Sequence, residues 1–74
     1  MGLLANERSL RIAMLMKGFS IRELAGLAGL NESYLSQIVN GRRSPSAKAA
    51  REISRLLEKE VSELFNINEK EAMQ

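Results

Sequence analysis

Ile21-Arg-Glu-Leu-Ala-Gly-Leu-Ala-Gly-Leu-Asn-Glu-Ser-Tyr-Leu-Ser-Gln-Ile-Val-Asn-Gly41 is the stretch that decides the fold. It reads as two short helices meeting at a glycine-centred turn. Leu24, Ala25 and Ala28 recur at helical spacing, and Ala25 supplies the small side chain needed where the second helix crosses the first. Gly29 stops the first helix, because a glycine just past a helix end can adopt the left-handed conformation without a side-chain clash. Leu30 fills the space beneath the turn. Asn31 is a good N-cap for the second helix, whose Leu35 and Ile38 return at i, i+3 to pack against Leu24 and Ala28.

With Leu35 and Ile38 turned inward, a rotation of about 100° per residue places Ser33, Ser36, Gln37 and Asn40 on the outward face. All four are polar and uncharged. A solvated surface would serve a soluble bundle equally well, but Lys and Glu are the better helix formers for that purpose. Short hydrogen-bonding side chains suit base edges instead. Gln can bond an adenine edge twice, Ser can bond several bases, and small residues let a helix lie deep in a major groove. The helix ends at Asn40-Gly41 and is followed at once by Arg42-Arg43, placed to meet backbone phosphates. Glu32, at the helix start, either accepts from a cytosine amino group or interacts with the helix dipole. Tyr34 joins the phosphate candidates, with Arg11, Lys17 and Arg22 as weaker ones.

These residues also carry a resemblance. Gly18-Phe19-Ser20, Leu24-Ala25, Gly29-Leu30, Leu35-Ser36-Gln37-Ile38, Asn40-Gly41-Arg42-Arg43, Pro45-Ser46 and Leu64-Phe65 together resemble the Cro/repressor (XRE-type) helix-turn-helix family over residues 18–65. The resemblance implies a lambda-repressor-like bundle of about five helices in which the second and third form the DNA-reading unit. It also implies a regulatory role, as a repressor occupying an operator on double-stranded DNA. Two positions depart from the family pattern. Ile21 stands where a glutamine commonly follows the capping Ser or Thr, and Val39 stands where a glutamate is common two residues before the glycine.

Composition narrows the alternatives. Seventy-four residues make one domain, and a chain of this size buries only about 60% of its extended-chain surface, so association would help it. With no Cys and no His, disulfides are excluded and the usual zinc sites lack their ligands. No catalytic or metal-ligating set, Gly-rich phosphate loop or nucleophile motif is present, which argues against an enzyme, a cofactor or a small-molecule ligand. The longest apolar run, Ile12 to Met16, is five residues, against the ~20 required to span a bilayer, so a cytoplasmic protein with no membrane partner is expected. The net charge of +2 is unevenly spread: +2 over residues 1–30, +3 over 31–57 and −3 over 58–74. A basic middle holding the recognition helix over residues 31–40, with an acidic end, fits one face meeting phosphates and another turned away.

The rest of the chain supplies an all-α frame. Residues 1–5 carry no periodic assignment. Asn6 caps a first helix running to about Lys17, with Glu7 at its positive end and Leu10, Ala13, Met14 and the Lys17 stem inward. Ile12, Leu15 and Met16 make this helix apolar nearly all round. They are covered by Leu3 and Leu4, simply exposed, or an interface. Ser20 caps the second helix, with Glu23 completing a capping box. Pro45-Ser46 opens a fourth helix with Ala50, Ile53, Leu56 and Leu57 inward. Glu58-Lys59-Glu60 stands where many family members have a glycine, so a softer break is expected there. Val61, Leu64 and Phe65 form a short fifth helix, and Asn66-Ile67-Asn68 reads as a stop. The expected domain is 1–74, with a core over 6–66 and a polar tail over 67–74.

A homodimer is expected, since one recognition helix reads few base pairs and two copies on a two-fold axis place half-sites about 34 Å apart. Two surfaces compete for the contact: helix 1 with Ile12, Leu15 and Met16, and the C-terminal part ending at Ile67. The rival function is a protein-interaction module on the same scaffold that binds another regulator through helix 1. Salt separates the two, because phosphate contacts weaken steeply as salt rises and apolar contacts do not.

Overall fold

Side-chain caps decide where the helices begin. The computed structural model describes residues 2–68 and runs β1 (Gly2–Ala5), α1 (Glu7–Lys17), α2 (Ile21–Ala28), α3 (Glu32–Val39), α4 (Ala47–Leu57), α5 (Val61–Leu64), β2 (Phe65–Asn68). Asn6 Oδ1 accepts from the Ser9 amide at 3.2 Å. Ser20 Oγ and Glu23 Oε1 each accept from the other's backbone N–H at 3.1 Å, completing the capping box. Asn31 Oδ1 accepts from Ser33 at 2.8 Å, and Ser46 Oγ from Ala49 at 3.1 Å. Each such cap is worth about 1 kcal/mol. The five helices expected from the sequence are present, and each cap assigned to the first four stands where it was expected.

Gly29 closes α2 at φ 70°, with the Leu30 amide bonded to Ala25 O at 2.9 Å. That sharp turn lets α3 fold straight back on α2. Leu10, Leu24, Leu35, Ile38, Ile53, Leu57 and Leu64 are at most 1% exposed and meet in one core. Ala28 is half-buried. On α4 the inward set differs slightly from expectation: Ala49 and Ser54 are buried with Ala50, Ile53 and Leu57, while Leu56 is half-buried. Val39 is also buried, at 1% exposure. Of the two positions that depart from the family pattern, Val39 is therefore a core residue and Ile21 is half-buried.

The chain ends differ most from the sequence reading. Gly2–Ala5, which show no periodicity in the sequence, pair antiparallel with Phe65–Asn68, in the register Leu3 with Ile67, Leu4 with Asn66 and Ala5 with Phe65. The Asn6 amide bonds Leu64 O at 2.8 Å and extends the ladder. Asn66-Ile67-Asn68 is thus a strand and not a stop, and α5 is only four residues long. Phe65 leaves the helix as an extended residue yet stays buried at 3%. Alternation along the strands puts Leu3, Ala5 and Phe65 on the core side. Of the expected tail, residues 67 and 68 belong to the ribbon, and 69–74 lie outside the described residues.

The end of α4 is not soft. Glu58 adopts the left-handed conformation at φ 56°, its amide bonds Arg55 O at 3.1 Å and the Lys59 amide bonds Ser54 O at 3.0 Å. The hydrogen bonds of a glycine cap form here on a glutamate, whose carboxylate pairs with Lys17 at the end of α1. The left-handed conformation costs a non-glycine residue about 1–2 kcal/mol. Glycine loses about 0.5–1 kcal/mol of that advantage to its freer unfolded chain, and an exposed ion pair is worth little. Glu58→Gly should therefore raise the thermal midpoint by about 4 °C, followed by circular dichroism. A lower midpoint would mean that the Lys17 pair outweighs the strain.

Candidate nucleic-acid interface

The N-terminal turns of α2 and α3 bound an open groove lined by Ile21, Asn31, Glu32, Ser33, Ser36 and Gln37. The capping box fixes the start of α2 and the Asn31 cap fixes the start of α3, so both walls are set by local hydrogen bonds. Ser33 and Gln37 are exposed, and Ser36 is half-buried on the flank of α3. Glu32 is exposed at the N-terminus of α3, where the helix dipole favours its charge. Asn31 is spent on the cap.

Asn40 has partners within the protein. Its Oδ1 accepts from the Arg11 guanidinium, and its Nδ2 lies 3.5 Å from Ser36 Oγ. This bond places Arg11 of α1 beside the C-terminal end of α3, where the negative end of the helix dipole also favours a cation. The helix ends in the same region at Gly41 (φ 71°), where a β-carbon would lie 2.6 Å from Glu7 Oε1. The first turn of α1 therefore closes against the last turn of α3.

The loop after α3 is tied down at two points. Tyr34 is half-buried, and its hydroxyl oxygen accepts from the Ser46 amide at 3.1 Å. That leaves the hydroxyl proton to donate outward. The Arg43 guanidinium carbon lies 4.9 Å from the centre of the Tyr34 ring, within cation–π range. Arg42 is exposed, with its amide bonded to Gln37 O at 2.9 Å. Arg22 is exposed in the first turn of α2.

The structure thus gathers Ser33, Ser36, Gln37 and Glu32 along one groove, with Arg22 on the α2 side. It sets Tyr34, Arg42 and Arg43 at the loop, and Arg11 and Asn40 at the α1–α3 crossing. Lys17 is not part of this group: it pairs with Glu58 and lines the groove between α1, α4 and α5. A second ion pair among the described residues, Arg55 with Glu52 at 2.8 Å, lies on α4. The Arg55 hydrogen bond holds the Glu52 carboxyl below the usual glutamate range. Ile21, set at the start of α2 by the capping box, is the apolar residue of the groove and stands where the family pattern commonly has a glutamine.

The Helix-turn-helix family model matches residues 10–64. The chain is 40% identical over 60 residues to the HTH-type transcriptional regulator SlrR of Bacillus subtilis, covering 80% of this chain and 40% of that relative. It therefore spans about two fifths of the length of this curated relative. Among solved structures, the restriction-modification controller protein C.AhdI from Aeromonas hydrophila superposes with a TM-score of 0.70 at 32% identity, covering 77% of this chain and 86% of that one. The clp gene regulator ClgR from Corynebacterium glutamicum gives a TM-score of 0.68 at 28% identity, covering 76% of this chain and 60% of that one.

Proposed function

The chain belongs to the XRE-type helix-turn-helix family, and from that premise we propose that it is a sequence-specific, double-stranded-DNA-binding transcriptional regulator that acts as a repressor by occupying an operator. The observation that carries the reading is the α2–α3 groove, where Ser33 and Gln37 stand exposed beside Ile21. In this reading α3 enters the major groove. Gln37, Ser33 and Ser36 meet base edges, Ile21 offers an apolar contact suited to a thymine methyl, and Asn40 reaches a base while holding Arg11. Glu32 stands at the same edge. Arg42, Arg43, Arg11, Arg22 and the Tyr34 hydroxyl meet phosphates.

In this reading the chemistry is binding. Among the described residues no helix is long and apolar enough to cross a membrane. We read residues 1–74 as one DNA-binding unit that works as a homodimer on half-sites about 34 Å apart. Selection of bound sequences from a random duplex library tests the reading and returns the operator. Enrichment of a two-fold site is expected; a pool that stays random would overturn it.

Arg42 and Arg43 give a second check. Replacing either by alanine should weaken binding to every duplex and reduce the slope of log affinity against log salt by about one unit. A variant that lost sequence preference while keeping its salt slope would remove the phosphate assignment.

A further inference from the structure

Ile12, Leu15 and Met16 of α1 are 51%, 79% and 81% exposed. Ile12 and Met16 do not stand alone on the surface: with Ala13 of α1, Leu57 of α4 and Leu64 of α5 they line an open groove of about 690 Å³. The two surfaces that compete in the sequence, helix 1 and the C-terminal segment, are thus partly one surface. We infer that this groove takes a second copy of the same chain, α1 packing antiparallel against its counterpart across a two-fold axis.

Charge favours that occupant. Besides the Lys17–Glu58 pair, the groove holds Lys59 and Glu63, one further charge of each sign. A strongly acidic or basic partner would meet like charges there, whereas an identical rim turned through a half-rotation can set Lys against Glu. An antiparallel α1 pair adds a further match. Arg8, exposed one turn before Ile12, comes opposite the C-terminal end of the other α1, where the helix dipole is negative and the Lys17 charge is offset by Glu58. Such a contact is isologous, as closed dimers require.

Position favours it as well. At about 100° per residue, Glu7 and Arg11 lie on one flank of α1, and Ile12 and Met16 on the other. The first flank closes against the end of α3 through the Arg11–Asn40 bond and the Glu7–Gly41 approach. The second borders α4 and α5. A partner seated on the second flank leaves the reading groove open in both copies.

The inference rests on the homodimer reading, and sedimentation of the full chain separates the two. The wild type should sediment as a dimer at micromolar concentrations. Leu15→Glu and Met16→Glu, at highly exposed positions, should weaken the dimer about tenfold or more while melting within a few degrees of the wild type. Ile67→Glu, on the ribbon and 58% exposed, should remain a dimer. A monomeric wild type that also binds a single half-site would overturn the homodimer and this surface together. A dimeric wild type whose Leu15→Glu and Met16→Glu variants also stay dimeric would overturn the surface alone, and a monomeric Ile67→Glu would move the contact to β2.

Discussion

Leu35→Ala should destabilise the domain by about 2–5 kcal/mol, a large fraction of its whole stability. Leu35 is fully buried in the core where α3 packs on α2. Removing its branched end takes away apolar burial and leaves a cavity that the two capped helices cannot readily collapse. The loss is large beside the whole: about 0.05–0.15 kcal/mol per residue gives a domain of this length only about 4–11 kcal/mol in total. Urea unfolding followed by circular dichroism measures it, with Leu27→Ala as the control. Leu27 is 57% exposed on α2, and its truncation should change the unfolding free energy by no more than about 0.5 kcal/mol. Similar losses at both positions would contradict the packing of α3.

The second large effect is on recognition and leaves the fold intact. Gln37→Ala should lower affinity for the selected operator by about 1–3 kcal/mol and relax the choice of base at one position of each half-site. Gln37 is exposed in the α2–α3 groove, and its side chain has no hydrogen bond to the other described residues. Its amide is therefore available to pair twice with a base edge. Competition binding against duplexes substituted one position at a time reads the result. Affinity falling equally for every duplex would make Gln37 a backbone contact.

Local signals in the sequence carried most of the fold, because caps and turns act over three or four residues. Asn6, Ser20 with Glu23, Asn31 and Ser46 each bond a backbone amide a few positions away, and Gly29 needs only its own backbone angle. The groove residues were legible for the same reason: the inward positions Leu35 and Ile38 fix where Ser33 and Gln37 point. Features that join distant segments were not legible. No periodicity pairs Leu4 with Asn66, Arg11 with Asn40, Tyr34 with Ser46 or Lys17 with Glu58. Lys17, a weaker phosphate candidate in the sequence, stands apart from the α2–α3 groove for that reason. Glu58 misled in another way, since its side chain gives no hint that its backbone follows the path of a glycine.

The terminal ribbon fixes an order of events during folding. Its strands are separated by some sixty residues of chain, and closing a loop of that length costs roughly 4 kcal/mol of entropy, while an isolated two-stranded pair is marginal in water. Pairing of Gly2–Ala5 with Phe65–Asn68 cannot start the process. The helices must assemble first and carry the two ends within reach, after which the ribbon closes last and, on the way out, opens first. Its register is imposed by the helical frame more than by its own residues. Substitutions within it should then alter the rate of unfolding far more than the rate of folding.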